Sequence, residues 1–113
     1  MSHTDIVKSF SKAFFGKDIA TINSIVAENY WFKGPMMEIN SREELVGFIQ
    51  DIPMEGEEVQ ADYIEQGDKV VKVYTCDFSA PPVGRQELCE IFTITDGKIA
   101  GNQLFYDTAK WLQ

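Results

Sequence analysis

Glu90 is the residue whose neighbours in the sequence most clearly predict chemistry. It alternates with Leu88, Phe92 and Ile94, and alternate residues of a strand point to the same face of a sheet. A carboxyl group on such a face is removed from water, which disfavours its charged form and raises its pKa. Glu90 is therefore our candidate for an acid, a base or a hydrogen-bond donor at neutral pH.

The last predicted strand offers a second carboxylate. Ile99, Gly101, Gln103, Phe105 and Asp107 share one face, which we assign to the interior because Ile99 and Phe105 are its large apolar members. On this assignment Asp107 is a second candidate catalytic residue, and either Asp107 or Gln103 would orient the reacting group. The assignment depends on register, because a slip of one residue exchanges the two faces.

Both carboxylates also have interpretations without chemistry. Glu90 could face solvent, or it could pair with a basic residue such as Lys72, Lys33 or Arg85. Asp107 could cap the end of its strand or form a salt bridge there. The sequence leaves these alternatives open beside the catalytic ones.

The sequence contains no motif typical of a metal site or of a catalytic nucleophile. His3 is the only histidine, and there is no Gly-rich phosphate loop or nucleophile elbow. We therefore expect neither a metal nor a cofactor. Cys76 and Cys89 are predicted to be small apolar residues of two strands, but a symmetric hairpin would place them opposite each other, so a disulfide between them stays open.

Apolar residues from several predicted elements could line a pocket beside Glu90. Val73 joins them if its strand pairs symmetrically with the Glu90 strand across Pro81-Pro82. Residues at these spacings also form ordinary cores, and that alternative stays open. The predicted lining consists of Phe10, Phe14, Tyr30, Phe32, Phe48, Val73, Phe92, Gln103 and Phe105.

Three amphipathic helices are predicted in the first half of the chain. Apolar residues recur at helical spacing from Ile6 to Phe14, and Gly16 ends this first helix. Asp18 caps the second helix, which has the apolar face Ile19, Ile22, Ile25 and Val26 and ends at Asn29. A capping box begins the third helix at Ser41.

Strands dominate the second half. Tyr30-Trp31-Phe32 is a short aromatic strand between the second and third helices. Four longer strands follow as a meander, over 59–66, 69–78, 86–95 and 98–107, with turns at Gly67-Asp68, Pro81-Pro82 and Asp96-Gly97. Helices followed by paired strands are typical of an α+β fold, and we predict one domain over 1–113.

The bulk properties exclude several partners. A formal net charge of -8 would repel a phosphate backbone, so we expect no nucleic-acid partner. No apolar run approaches the ~20 residues that span a bilayer, and we expect no membrane partner. The N-terminal residues have no apolar stretch typical of a secretory signal, and the predicted location is the cytoplasm.

The order of these elements and several local motifs resemble the nuclear transport factor 2-like superfamily, and within it the SnoaL-like and ketosteroid-isomerase-like branch. The resemblance extends over nearly the whole chain. It is carried by Gly16-Lys17-Asp18-Ile19, by the residues from Ala27 to Pro35, by Gly67-Asp68-Lys69-Val70-Val71, and by the residues from Glu90 to Ile99 with Asp107 after them.

The resemblance implies a cystatin-like cone, in which three N-terminal helices pack on a curved antiparallel sheet that encloses a pocket. It also implies that Glu90 corresponds to an acid of the ketosteroid isomerase oxyanion hole. The general-base aspartate of those enzymes corresponds to Gly34 here, and their oxyanion tyrosine corresponds to Phe10. The steroid isomerase reaction therefore does not transfer to this sequence.

Two functions remain from the sequence, and it does not decide whether the protein is an enzyme. The first is binding of a small apolar molecule in the cone. The second is acid–base catalysis of an isomerase, cyclase or dehydratase type on a cyclic or polyketide-like substrate, with Glu90 as the acid or base. The predicted outer sheet face is too apolar for an exposed surface and indicates a homodimer interface, and the resemblance implies that two copies pair through it. Its residues are Val70, Lys72, Tyr74, Cys76, Phe78, Glu87, Cys89 and Ile91.

Overall fold

The computed structural model describes residues 2–52, 55–79 and 84–109. Within these ranges the chain forms three helices and six strands, so the predicted α+β class is confirmed. In chain order the elements are α1 (His3–Gly16), α2 (Ile19–Ile25), β1 (Val26–Lys33), β2 (Glu38–Ile39), α3 (Arg42–Asp51), β3 (Gly56–Gln66), β4 (Lys69–Phe78), β5 (Gly84–Thr95) and β6 (Lys98–Tyr106).

Each helix begins at a side chain that caps its first backbone N–H groups. Ser2 caps α1, Asp18 caps α2 and Ser41 caps α3. After α1 the chain turns at Lys17, which has a left-handed φ of 53° and donates its backbone N–H to Phe14 and Ala13. The three N-caps fix where each helix begins, and the turn at Lys17 fixes where α1 ends.

The sheet has the order β2-β1-β6-β5-β4-β3. The strands β3 to β6 form the predicted antiparallel meander. Its tight turns include Asp96 and Gly97, whose φ angles of 52° and 76° match the type I′ turn expected of Asp-Gly. In contrast, β1 runs parallel to β6, begins at Val26 where a helix was predicted, and is longer than the predicted aromatic strand.

The two faces of the sheet have different surroundings. We call the face that packs on the helices the inner face, and the opposite one the outer face. On the inner face Val70, Phe92 and Ile94 join α1 and α3 residues in the main core. Each buried residue of this core is less than about a tenth exposed. These residues are Ile6, Val7, Phe10, Ala13, Ile22, Val26, Tyr30, Ile39, Leu45, Ile49, Val70, Phe92, Ile94 and Ile99.

The predicted register of β4 against β5 is wrong by one residue. Glu90 lies opposite Lys72 rather than Val73, and Phe78 lies opposite Gly84. The Pro81-Pro82 turn that set the predicted symmetry lies outside the described residues. Because a slip of one residue exchanges the faces, Val73 is on the outer face. Val70, Lys72, Tyr74, Cys76 and Phe78, which were predicted on the outer face, lie on the inner one, so this part of the predicted dimer interface is wrong.

The predicted face of β6 is wrong for a different reason. A β-bulge interrupts its pairing with β5, since Thr93 lies opposite Gly101 but the next residue, Ile94, lies opposite Ile99. The extra residue, Ala100, reverses the alternation along the rest of the strand. Ile99 therefore points inward as predicted, whereas beyond the bulge the inward residues are Asn102, Leu104 and Tyr106 instead of Gln103, Phe105 and Asp107.

Candidate functional site

A cavity of about 420 Å³ lies between the inner face of the sheet and helices α1 and α3. Most of its lining is aromatic or aliphatic. The lining residues are Phe10, Ser11, Phe14, Phe15, Tyr30, Phe32, Gly34, Met36, Met37, Ile39, Leu45, Phe48, Ile52, Lys72, Tyr74, Cys76, Phe78, Leu88, Glu90, Asn102, Leu104 and Tyr106.

One side of the cavity is open to solvent. Phe15 at the end of α1 is 36% exposed, and Met36 and Met37, between β1 and β2, are 47% and 38% exposed. These three residues line the cavity and also reach solvent, and we call them the mouth of the cavity.

Glu90 lies in the wall of the cavity and is only 7% exposed. The Tyr74 hydroxyl donates to Glu90 Oε1 at 2.8 Å, and the Asn102 side-chain amide donates to Glu90 Oε2. The Asn102 oxygen in turn accepts from the Tyr30 hydroxyl. Four side chains from β4, β5, β6 and β1 thus form one continuous chain of hydrogen bonds. Asn102, which the bulge turns inward, connects Glu90 to Tyr30.

Burial is the main reason that the pKa of Glu90 lies above its ordinary value of 4.5. The hydrogen bond from Tyr74, the positive charge of Lys72 and the hydrogen bond from Asn102 each lower that pKa, and the charge of Glu58 raises it. Burial and the charge of Glu90 also raise the pKa values of Tyr30 and Tyr74 well above 10.0. Both tyrosines therefore keep their protons wherever the protein is folded near neutral pH.

Lys72 is a second ionisable residue in the cavity wall, and its side chain is only 2% exposed. Its ammonium group forms an ion pair with Glu58 on β3, donates to Ser11 Oγ at 2.6 Å, and lies 4.0 Å from the centre of the Tyr74 ring. A buried charge requires such partners, because an unpaired one would cost several kcal/mol. The sequence offered Lys72 as a partner of Glu90, and the structure pairs it with Glu58 instead.

The structure brings together six of the predicted site residues. Glu90, Phe10, Phe14 and Tyr30 line the cavity, and so do two further residues, Phe32 and Phe48. Phe92 is fully buried in the core and is not part of the lining.

Four predicted site residues lie elsewhere. Val73 and Phe105 are 47% and 46% exposed, and Gln103 is exposed with them on the outer face. Asp107 is exposed beyond the end of β6, where it accepts a hydrogen bond from the backbone N–H of Ala109. The register shift removes Val73 from the cavity, and the bulge removes the other three, so Asp107 is a local cap and not a partner of Glu90.

Sequence reasoning missed Tyr74 and Asn102 and misplaced Lys72. The one signal that could have found Asn102 is Gly101, because a glycine inside a strand often marks a bulge or a close approach. Here it marks both, since a Cβ at Gly101 would lie 2.1 Å from Trp31 Cε2. Nothing comparable in the sequence marks the register of β4.

The two cysteines lie on opposite faces of the sheet. Cys76 is paired with Gln86 and faces the cavity, while Cys89 is paired with Val73 on the outer face. The disulfide that the sequence left open is therefore absent, and both thiols are free. Burial raises the pKa of the Cys76 thiol to about 11, so it stays protonated.

The described parts of the chain lack two further features. No cluster of three or more His, Cys, Asp or Glu side chains there has the arrangement needed to hold a metal ion. None of the helices over those residues has the length and apolar character of a membrane span.

Comparison with known proteins gives a family and a fold. The family model described as a SnoaL-like domain matches residues 7–102. A comparison of the sequence with curated proteins gives no match.

Several solved structures share the fold at low identity. A nuclear transport factor 2-like protein of unknown function from Burkholderia pseudomallei is 18% identical with a TM-score of 0.87, covering 99% of this chain and 96% of its own. A protein of unknown function with a cystatin-like fold from Xanthomonas campestris is 22% identical with a TM-score of 0.84, covering 98% and 95%. An LEH-like epoxide hydrolase from M. tuberculosis is 15% identical with a TM-score of 0.76, covering 96% and 84%.

Proposed function

The chain belongs to the SnoaL-like domain family, and we propose that it binds a small apolar molecule in the cavity between its sheet and its helices. The volume of about 420 Å³ supports this proposal, because it falls within the range of roughly 300 to 1,000 Å³ typical of small-molecule sites. A bound molecule would cover the exposed mouth residues Phe15, Met36 and Met37 and complete the enclosure of the cavity.

The observation that carries the proposal is the composition of the lining. Aromatic and aliphatic side chains surround the cavity, while Tyr74, Glu90, Asn102 and Tyr30 converge on one part of its wall. A mostly apolar site with a few convergent polar groups favours a molecule of mainly hydrocarbon surface that carries one polar group.

Filling the cavity tests the proposal. Leu104 lines the cavity and its neighbour Phe105 lies on the outer face, so Leu104→Trp and Phe105→Trp are a matched pair on one strand. We expect titration calorimetry to show binding of diphenylmethane to the wild-type chain and to Phe105→Trp, and at least tenfold weaker binding to Leu104→Trp. Equal binding by all three folded proteins, or none by the wild type, would reject the proposal.

Acid–base catalysis is a second candidate, and the position of Glu90 supports it. Glu90 lies in the cavity wall, and burial raises its pKa towards the pH at which an acid or base works best. An epoxide hydrolase is among the proteins of similar structure, so this fold can support a reaction in at least one case. Glu90 would be the acid or base, and Tyr74 and Asn102 would orient it. The proposed substrate is a cyclic or polyketide-like molecule.

Proton exchange tests this second candidate without knowledge of the natural substrate. We expect the wild-type chain to accelerate deuterium incorporation next to the carbonyl of 1-tetralone in D₂O, followed by NMR. Glu90→Gln should abolish the acceleration, while Glu87→Gln, an exposed neighbour on β5, should retain it. Exchange that is as fast with Glu90→Gln as with the wild type would exclude Glu90 as the base.

The outer face supports a proposal about assembly, in which two copies pair through it. Val73 and Phe105 lie in one cross-strand row with Cys89. Ile64, 63% exposed, lies on the same face opposite Val71, two residues along β4 from Val73. Burying such side chains against a second copy would remove apolar area from water. We expect light scattering at micromolar concentration to give a dimer, and Phe105→Glu to give a monomer that still binds diphenylmethane. A monomeric wild type would contradict this assembly.

A further inference from the structure

The hydrogen bonds around Glu90 fix where a proton on this carboxyl group must lie. Tyr30 has a single hydroxyl hydrogen, and it is donated to the Asn102 oxygen. Asn102 must then present its N–H group to Glu90 Oε2. A hydrogen on Oε2 would find no acceptor in Asn102, whereas the Tyr74 oxygen can accept a hydrogen from Oε1. Protonation of Glu90 therefore places the hydrogen on Oε1, which faces Tyr74.

Protonation on Oε1 reverses the hydrogen bond to Tyr74. In the ionised state the Tyr74 hydroxyl donates to Oε1 at 2.8 Å. In the neutral state Oε1 carries the hydrogen and the Tyr74 oxygen accepts it, because a hydroxyl oxygen has two acceptor sites. The hydrogen of Tyr74 must then rotate away from Glu90. This change requires rotation of one hydroxyl group and leaves Asn102 and Tyr30 in place.

We infer that Tyr74 contacts the bound molecule, and that it donates its hydroxyl hydrogen to a carbonyl oxygen of that molecule when Glu90 is protonated. Tyr74 lines the cavity and is 9% exposed, whereas Tyr30 at the far end of the hydrogen-bond chain is 1% exposed. The surrounding lining is mainly apolar, so a hydrogen turned into the cavity requires an acceptor from the ligand. The ligand class is therefore an apolar ketone or aldehyde, an inference that rests on the proposed binding function.

Ionisation of Glu90 has the opposite effect. The carboxylate takes the Tyr74 hydrogen for itself, and a carbonyl oxygen in the cavity then faces a tyrosine oxygen and a negative charge without a donor. A buried acceptor left without a donor is unfavourable. The preference for a carbonyl over the matching hydrocarbon therefore decreases as the pH rises through the pKa of Glu90, which burial places above 4.5.

Three of the other titratable groups around Glu90 do not reproduce this dependence. Tyr30 and Tyr74 keep their protons because their pKa values are raised well above 10.0, and the pKa of Cys76 is raised to about 11. Helices α1 and α3 face the cavity with uncharged residues, including Phe10, Ser11, Phe14, Leu45 and Phe48. The remaining groups that interact with Glu90 are Tyr63 and Glu58 on β3 and Lys72 on β4.

Two matched probes test the inference. Benzophenone and diphenylmethane differ only in a carbonyl group in place of a CH₂ group. The ratio of their dissociation constants, measured by calorimetry from mildly acidic to mildly alkaline pH, should favour benzophenone by about tenfold at acidic pH and approach one at alkaline pH. Glu90→Gln can donate its amide hydrogen to the Tyr74 oxygen, so we expect the preference for benzophenone to persist at every pH.

Tyr74→Phe removes the proposed donor and should give a ratio near one at every pH. Thr75→Val removes a hydroxyl from the neighbouring residue on the outer face, outside the cavity lining, and should keep the wild-type dependence on pH. If diphenylmethane binds but the wild-type ratio does not change with pH, the inference about Tyr74 is wrong while the binding function stands. If Tyr74→Phe retains the wild-type ratio, the donor is another residue and the inference is again wrong.

A measurement without ligand separates the two proposals further. The ζ carbon of tyrosine reports by NMR whether its hydroxyl donates or accepts, and Tyr74→Phe assigns the Tyr74 signal. We expect that signal to shift with pH in the wild type and to stay constant in Glu90→Gln. A Tyr74 signal that does not change while Glu90 titrates would overturn the inference even if neither probe binds.

Discussion

The inner and outer faces of β4, β5 and β6 are built from neighbouring residues but carry opposite chemistry. On the inner face Lys72, Glu90 and Asn102 are charged or polar and are less than a tenth exposed. On the outer face Val73 and Phe105 are apolar and about half exposed. Burying these polar groups on the inner face is unfavourable, and the partners of each group offset that cost. Buried polar groups of this kind are typical of a functional site rather than of a core.

Breaking the ion pair of Lys72 should give the largest difference in stability between variants of the inner and outer faces. Lys72→Met leaves Glu58 and Ser11 without their partner, and we expect urea denaturation to show a loss of about 3 kcal/mol in the free energy of unfolding. Val73→Met, one residue away on the outer face, should change it by less than about 1 kcal/mol.

Removing both charges should restore much of that stability. Because Glu58 is then no longer left unpaired, the double variant Lys72→Met, Glu58→Leu should be more stable than Lys72→Met alone. A Lys72→Met variant as stable as Val73→Met would mean that the ion pair contributes nothing.

Replacing Asn102 should give the next largest difference in stability between the two faces. Asn102→Leu leaves Glu90 Oε2 and the Tyr30 hydroxyl without their hydrogen-bond partner in a buried site, which should cost about 2 kcal/mol in the free energy of unfolding. Gln103→Leu, its exposed neighbour on β6, should change stability by no more than about 0.5 kcal/mol. Equal losses for the two variants would show that the bulge does not turn Asn102 inward.

Glu90 should make stability depend on pH in a particular direction. Its pKa is higher in the folded chain than its ordinary value of 4.5, so the folded state holds a proton that the unfolded state loses. The resulting contribution is fully present below pH 4.5 and is lost as the pH rises to the folded pKa, with a slope of at most about 1.4 kcal/mol per pH unit. Glu90→Gln should remove this slope from denaturation curves, and Glu87→Gln should leave it unchanged.

The smallest expected effect is a difference in reactivity between the two cysteine thiols, which lie on opposite faces. Cys89 is half-buried on the outer face, and Cys76 is buried in the cavity wall with its pKa raised to about 11. We expect a disulfide reagent to modify Cys89 quickly in the folded Phe105→Glu monomer, in which a second copy does not cover the outer face, and to modify Cys76 only on unfolding. Mass spectrometry of digested protein locates the modification, and rapid labelling of Cys76 would contradict the assignment of its face.

The sequence predicted the faces of β5 correctly, those of β4 wrongly, and those of β6 correctly only as far as the bulge. On β5 the buried set contains Leu88, Phe92 and Ile94, so the apolar pattern itself identifies the inner face. On β4 apolar residues occur on both faces, and only the pairing with β5 decides between them. Hairpin symmetry misses that register by one residue, which is enough to exchange Val73 and Lys72.

The candidate site was harder to predict than the fold for the same reason. Helix caps at Asp18 and Ser41 and the turn at Asp96-Gly97 depend on residues close in sequence, and the structure has all three. The hydrogen bonds of Glu90 depend instead on Tyr74 and Asn102, whose directions are set by a register and a bulge. Local chemistry does not encode these long-range features.

The most direct test of a ligand site on the inner face is the mapping of diphenylmethane by backbone amide NMR. We predict that the signals displaced by saturating diphenylmethane come from residues of the cavity lining such as Leu45, Leu88 and Leu104. Those of Val73 and Phe105 on the outer face should move least. Displacements centred on the outer face, or none at saturation, would contradict the proposed site.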